Sequence, residues 1–415
     1  MSCHRSRAIY RKGVGAGGSQ PVLFASSLAE VLKGESLVLA LGGLVERVIG
    51  PVLGRDFPHS GGYSYDPGSL FCVWMLGLVK GVSSTRALEE HCRYDDRFRY
   101  LCKGCFPDHT TLSRFRKALG PRLDELMLMV ARAAMSEGHL KLRQVAADGT
   151  KLAAACTQWR HRAEAMDEEQ DAQTLVTAQG SFLIGYNLQV AVDIESGFIA
   201  GMEVVPGAND LRGLEPLLES MERQSPSLPQ ALVADKGYDS FVNAHALDVR
   251  GIAGYLPKSR NSPAPFTQTE DGVFRCLSGH VPKESLWASK EGKQYRNLLV
   301  SRCRQCPHAA ECGLPRKAHQ RRMKVPSGEF LGDRRSANIR CESLEGQALM
   351  RARGPTVELA FARLKQQMGL RRFRLRARSG ARLEFGMYVL ALNLRLLLRL
   401  FWRLFWPNSL RLDSN

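Results

Sequence analysis

The chain of 415 residues is short of acids: 41 Asp and Glu stand against 58 Lys and Arg, for a formal net charge of +17. A surplus of that size attracts polyanions, and nucleic acid is the commonest large one. The start, MSCHRSRAIYRKGVGAGGSQ, has no apolar core of the kind a secretory leader carries. Without a secretory context, eleven cysteines read as reduced thiols or metal ligands rather than as a disulfide framework. Gly13, Gly15 and Gly18 match a G-x-G-x-x-G pattern, but no strand precedes them and no βαβ unit surrounds them, so residues 1–20 read as a flexible basic tail. No long apolar run is free of charge. Residues 383–406 come nearest, and there Arg395, Arg399 and Arg403 recur every four residues along one helical face. An arginine at the bilayer centre costs about 2.5–3.5 kcal/mol, so this segment is expected to be an amphipathic helix packed on the protein.

What is present divides the chain into textures. Residues 21–140 carry apolar residues at helical spacing, and in FPDHTTLSRFRKAL Asp108 or Thr110 can cap a short helix after Pro107. That helix bears Arg114, Arg116 and Lys117, as a DNA-reading helix would, although a solvated basic face fits the pattern equally. From about 141 the pattern turns to strands. RQVAADGT is a short apolar run ending at Asp148, residues 186–207 alternate and break at Ser196-Gly197 as a hairpin does, and ALVADKGYD ends a further run at Asp235. The order of strand, hairpin, helix, strand and strand predicts a mixed α/β sheet. Residues 258–340 lose long apolar runs and gain cysteines. From Pro355 a helix is expected, followed by the basic LRRFRLRARSGAR, and residues 351–415 hold fourteen Arg and Lys against three acids. Residues 401–415 read as a C-terminal tail.

Two strand-tip aspartates, Asp148 and Asp235, and Glu358 in the first turn of that last helix are a set able to converge on divalent metal ions. Mg²⁺ takes one or two carboxylates, keeps several waters and binds phosphate oxygens as well. Two such ions can activate a water and stabilise a leaving oxygen at phosphorus. Lys365 lies seven residues after Glu358, two helical turns on and near the same face, where it could contact a phosphate. Each residue also has a plainer reading: turn former, helix-dipole partner, solvated lysine.

At these residues the chain resembles an insertion-sequence DDE transposase with an RNase H-like catalytic core. The matching stretches are ADGTKL around Asp148, YNLQVAVD and VVPGAND, ADKGYDS around Asp235, and VELAFARLKQQMGLRRFRLR around Glu358. The N-terminal YDPGSLFCVWMLGLVKGVSSTRALEEHCRYDDRFRYL and PDHTTLSRFRK resemble that group's helical domain. The resemblance implies an RNase H-like core over 141–257 and 341–400 and a helical DNA-binding domain over 21–140. It implies Asp148, Asp235 and Glu358 as the triad holding Mg²⁺ or Mn²⁺, with Lys365 beside them. It further implies a homodimer on double-stranded DNA in the bacterial cytoplasm, at the nucleoid, acting on terminal inverted repeats and on target DNA. Arg371, Arg372, Arg374, Arg376 and Arg378 would join Arg114, Arg116 and Lys117 on DNA phosphates. One departure stands out: Gly354 holds the place of an arginine common in the related signature, and Arg353 lies one residue away. A nuclease without strand transfer, or an inactive DNA-binding relative, would share much of this pattern.

Cys303-x2-Cys306-x5-Cys312 has the close spacing of a structural zinc site, with Cys276 as a fourth thiolate and His280 or His308 as substitutes. The resembling group also carries a cysteine-bearing insertion at this place, here 258–340. Free thiols in a basic loop are the plainer reading. A second pair, Cys102-x2-Cys105 near Cys92 and His109, is a weaker candidate.

Overall fold

The computed structural model describes residues 27–405 apart from 57–64, 156–170, 177–179, 208–209, 259–265, 269–272, 289–293, 302, 309–311, 313–318 and 327–329. The expected N-terminal tail and most of the expected C-terminal tail lie outside the described residues.

The N-terminal part is helical: α1 (Ser36–Leu44), α2 (Gly50–Asp56), α3 (Pro67–Val79), α4 (Thr85–Tyr94), α5 (Asp96–Leu101), α6 (His109–Ala118) and α7 (Leu123–Ser136). Helix α3 starts where chemistry asks it to. Asp66 accepts the N–H groups of Gly68 and Ser69 at 3.1 and 3.3 Å, and Pro67 takes the first position, where no donor is needed. Its residues from Pro67 to Leu78 are all buried, so it forms the centre of the helical layer, with neighbours on every side. Asp108 caps α6 by accepting the N–H of Thr111 at 2.7 Å.

The sheet contains β1 (Gln144–Ala153), β2 (Gln173–Val176), β3 (Phe182–Asp193), β4 (Ile199–Val205), β5 (Ala231–Val233) and β6 (Ala253–Tyr255). Its order is β2-β3-β1-β5-β6, with β4 on the same edge of β3 as β2; β1, β5 and β6 are parallel and the rest antiparallel. The mixed α/β sheet expected from the sequence is therefore present. Helices α8 (Leu214–Gln224) and α9 (Phe241–Asp248) lie between its strands in the chain. Small strands follow, β7 (Phe266–Gln268), β8 (Phe274–Cys276), β9 (Lys283–Ala288), β10 (Gln294–Ser301) and β11 (Gln320–Pro326), paired as a two-stranded and a three-stranded sheet. The chain returns through α10 (Phe330–Glu342), α11 (Leu344–Ala362) and α12 (Ala377–Phe405).

Helix α11 does not open at Pro355. It opens at Leu344, with Ser343 accepting the N–H of Gly346 at 3.0 Å, and Pro355 lies inside it. A proline there removes one backbone bond and crowds the preceding turn. Burial of Leu349, Val357 and Ala360 on one stripe outweighs that loss. Glu358 therefore sits mid-helix, away from the favourable end of the helix dipole.

Helix α12 packs against α1, α3, α7 and β4, which joins the C-terminal helix to the N-terminal layer. Asn393, buried within it, bonds both the N–H and the carbonyl of Ile199 at 3.0 and 2.9 Å. Arg382 pairs with Asp124 of α7 at 2.7 Å and with Glu203 of β4 at 3.0 Å. Among the described residues no helix is long and apolar enough to cross a membrane.

Candidate active site

Strand register brings the two aspartates together. Ala146 of β1 stands opposite Val233 of β5 in parallel pairing. Asp148 follows two residues later within β1, and Asp235 two residues later, just past the end of β5, where it caps the turn Lys236–Tyr238. Asp148 is not the tip of its own strand, as the sequence suggested, for β1 runs on to Ala153 alongside β3. It lies two residues beyond Ala146, the last residue of β1 paired with β5. Burial first, then the charge of Asp235, pushes the Asp148 carboxyl up, while Arg353 and the Gly149 N–H oppose the rise.

Each aspartate is oriented by the residue that follows it. Gly149 donates its N–H to Asp148 Oδ1 at 2.8 Å, and Gly237 donates to Asp235 Oδ1 at 2.7 Å. A Cβ on Gly237 would stand 2.8 Å from Asp235 Oδ1, so glycine is needed there to leave room for the carboxylate. On the far side of the sheet a Cβ on Gly149 would meet Asp210 Oδ1 at 2.2 Å and Gln189 Nε2 at 2.4 Å.

That far side holds a polar group the sequence reading did not assign. Asp210 Oδ1 accepts from Asn187 Nδ2 and Gln189 Nε2, both at 2.8 Å. The Tyr238 hydroxyl donates to Gln189 Oε1, which pins the turn after Asp235 to β3. Burial, then the fields of Asp210, Asp148 and Asp235, hold the Tyr238 phenol well above its ordinary pKa. The signal was available in YNLQVAVD: Asn187 and Gln189, two residues apart, put two amides on one face of an otherwise apolar strand. Replacing Tyr238 with Phe keeps the ring and leaves Gln189 Oε1 without its donor. The expected cost is about 1–3 kcal/mol of folding stability, read as a lower urea midpoint at unchanged slope.

Helix α11 lies on the opposite face, against β1, β3 and β5. Arg353 Nη1 reaches Asp148 Oδ2 at 2.9 Å. Lys365 Nζ donates to Thr150 Oγ1 at 2.6 Å, on the strand face that Asp148 shares, and burial lowers its pKa. Glu358 is exposed and has no hydrogen-bond partner among the described residues. Hard divalent cations take carboxylate oxygens, and Asp148 with Asp235 offers such oxygens with a cationic guanidinium already seated on one of them. Two carboxylates suit such an ion. Among the described residues, however, no three His, Cys, Asp or Glu side chains stand close enough to hold a metal.

The predicted DNA-contacting residues separate into two groups. Arg114, Lys117, Arg371, Arg372, Arg374 and Arg376 are exposed. Lys117 of α6 and Arg374 and Arg376 of the C-terminal basic segment line one cleft of about 690 Å³. Arg116 instead lies half-buried over the Trp74 ring at 5.0 Å, and Arg378 donates to the Val204 carbonyl at 2.8 Å. Both guanidinium groups serve the fold: the α6 face that carries Arg116 turns inward on α3.

The four insertion cysteines are neighbours. Ser278 Oγ lies 2.9 Å from Cys306 Sγ, and Cys312, raised chiefly by burial, also feels Cys306, Cys276 and Cys303. No three of them, with or without His280 or His308, form a metal-holding group, so the zinc set expected from spacing is not assembled in this structure. Cys92 and Cys102 are buried free thiols, and the Cys102 thiol donates to the Arg99 carbonyl at 3.5 Å.

A family model described as a transposase DDE domain matches residues 275–398, and a transposase domain model (DUF772) matches residues 27–118. The first match spans Arg353, Glu358 and Lys365, and the second covers the helical layer through α6. No curated protein matches the chain. Among solved structures, a piggyBac transposase synaptic complex with hairpin DNA overlaps 88% of this chain and 74% of its own at 11% identity and a TM-score of 0.33. That overlap is too loose to bear on either fold or site.

Proposed function

From the premise that this chain is a DDE transposase, we propose that it binds the terminal inverted repeats of an insertion sequence and catalyses metal-dependent cleavage and strand transfer there. In this reading the sheet with its flanking helices is an RNase H-like core. Asp148, Asp235 and Glu358 hold Mg²⁺ or Mn²⁺, and α11 must bring Glu358 inward to join the two aspartates. A bound divalent cation supplies charge neutralisation at the phosphate and a more acidic water. The single observation that supports the reading is the parallel pairing of Ala146 with Val233, two residues before Asp148 and Asp235, with α11 packed on β1 and β5.

The chain's own residues then have defined tasks. In hydrolysis a water oxygen bonds to phosphorus and the 3′-oxygen of the strand leaves as a hydroxyl. In strand transfer that hydroxyl attacks a phosphodiester of target DNA and displaces a second 3′-oxygen. Asp148 and Asp235, held by their glycine N–H groups, fix where the phosphate lies. Lys365, anchored on Thr150, keeps a positive charge close to it.

Duplex DNA is the partner in this reading, and the Lys117, Arg374 and Arg376 cleft is where its backbone would run. Replacing all three with Ala is expected to weaken binding evenly across sequences. The slope of log affinity against log salt should flatten by about three, one per lost phosphate contact. Fluorescence anisotropy from low to moderate salt measures both.

The function is tested on DNA carrying the flanks of the gene. Nicks at the borders of an inverted repeat, appearing with Mg²⁺ and stopped by EDTA, are the expected result, together with joined products when target DNA is added. Nicking without joining would favour a nuclease, and end binding without nicking a DNA-binding relative.

A further inference from the structure

Arg353 makes one bond where its fork could make two. Nη1 meets Asp148 Oδ2 at 2.9 Å, whereas Asp148 Oδ1 is taken by the Gly149 N–H. The Arg353 Nε is buried and has no hydrogen-bond partner among the described residues. A guanidinium that meets a carboxylate through one N–H, with a stranded donor, gives up much of the strength of a bidentate pair. It nonetheless answers a local need. Asp148 is largely buried, with side-chain exposure of 23%, and stands beside a second carboxylate, so without a cation its charge would be poorly compensated.

We propose that Arg353 is an internal counter-cation, occupying Asp148 in the metal-free protein and displaced from it when a divalent cation binds. The inference rests on the reading of Asp148 and Asp235 as metal ligands. Two cations on one carboxylate oxygen repel, so the metal must overcome the ion pair before it can use Oδ2. Released, the side chain on α11 becomes a free donor beside the carboxylates, facing the space a DNA phosphate would enter. Helix α11 also carries Glu358, so loss of the Arg353 contact frees the segment that must close on the site.

The test is Mn²⁺ binding to the full chain, with the free ion counted by electron paramagnetic resonance. Arg353→Gln is expected to bind Mn²⁺ about ten- to a hundredfold more tightly than wild type, the range set by one hydrogen bond to a charged group. Arg353→Lys, which keeps a positive charge, should stay closer to wild type. Before metal is added, Arg353→Gln should melt lower than wild type. A second readout needs no variant: the buried Arg353 Nε–H should give a protected side-chain NMR signal that Mg²⁺ shifts and KCl of equal ionic strength does not.

Equal or weaker Mn²⁺ binding by Arg353→Gln overturns the proposal, as does an Nε–H signal unmoved at saturating Mg²⁺. Asp148→Asn separates the two levels of the argument. If Asp148→Asn binds Mn²⁺ as well as wild type, the metal-site reading falls and the counter-cation with it. If Asp148→Asn loses Mn²⁺ while Arg353→Gln is unchanged, only the counter-cation role falls.

Discussion

Asp235→Asn is expected to slow nicking of the repeat ends by about a thousandfold or more while leaving end binding intact. An amide keeps the shape of the carboxylate but not its charge, and in the proposed reaction several kcal/mol of stabilisation at phosphorus would depend on the ion that charge would hold; each 1.36 kcal/mol is a factor of ten in rate. The fold should survive, because Gly237 can still donate to the remaining oxygen and the like charge beside Asp148 is removed. Single-turnover nicking in Mg²⁺, set against anisotropy on the same DNA, measures both halves. Nicking at the wild-type rate would remove Asp235 from the catalytic set. Unchanged nicking by Glu358→Ala would likewise detach α11 from the chemistry.

The largest expected loss of stability lies outside the site. Arg334 of α10 donates to both oxygens of Asp239 at 2.8 and 2.6 Å, and the Asp239 side chain is fully buried. Arg334 also lies 4.6 Å from the Phe241 ring, and Asn338 donates to Asp239 at 3.2 Å. Arg334→Leu would leave a buried carboxylate without its guanidinium partner, at a cost of about 3–5 kcal/mol. A typical substitution costs about 1 kcal/mol. Changing Asp239 to Leu as well should restore much of the loss, because both members of the pair are then gone. Urea denaturation of the two single variants and the double variant gives the coupling directly. A loss below 1 kcal/mol for Arg334→Leu would show that the pair contributes little.

This pair also marks where sequence reading stops. Asp239 follows a strand and precedes a helix, a place where sequence alone points to a cap. The cap is Ser240, which accepts the N–H of Asn243 at 3.1 Å, while Asp239 is claimed by an arginine 95 residues away. Local chemistry cannot reveal such a partner. What was legible was periodic: the helical layer, the mixed sheet, and Asp148 and Asp235 where apolar runs give out. The start of α11 was misjudged because a proline is an ordinary first residue of a helix, and the burial that extends the helix back to Leu344 comes from contacts made elsewhere. Arg116 was misassigned because pattern alone does not tell which side of a short basic helix faces the core. Arg353 was the reverse case: it stands one place away from the expected arginine position, yet the helix carries its side chain to Asp148.

The packing of α12 across α1, α3, α7 and β4 has a consequence for how the protein is made. Its first and last segments share one interior, so a chain still emerging from the ribosome cannot complete that interior. Until the residues beyond Leu344 are released, Asp148 has no Arg353 beside it. Under the proposed function, a product that stopped before α11 would carry the two aspartates of the sheet without the helix that brings Arg353 to Asp148.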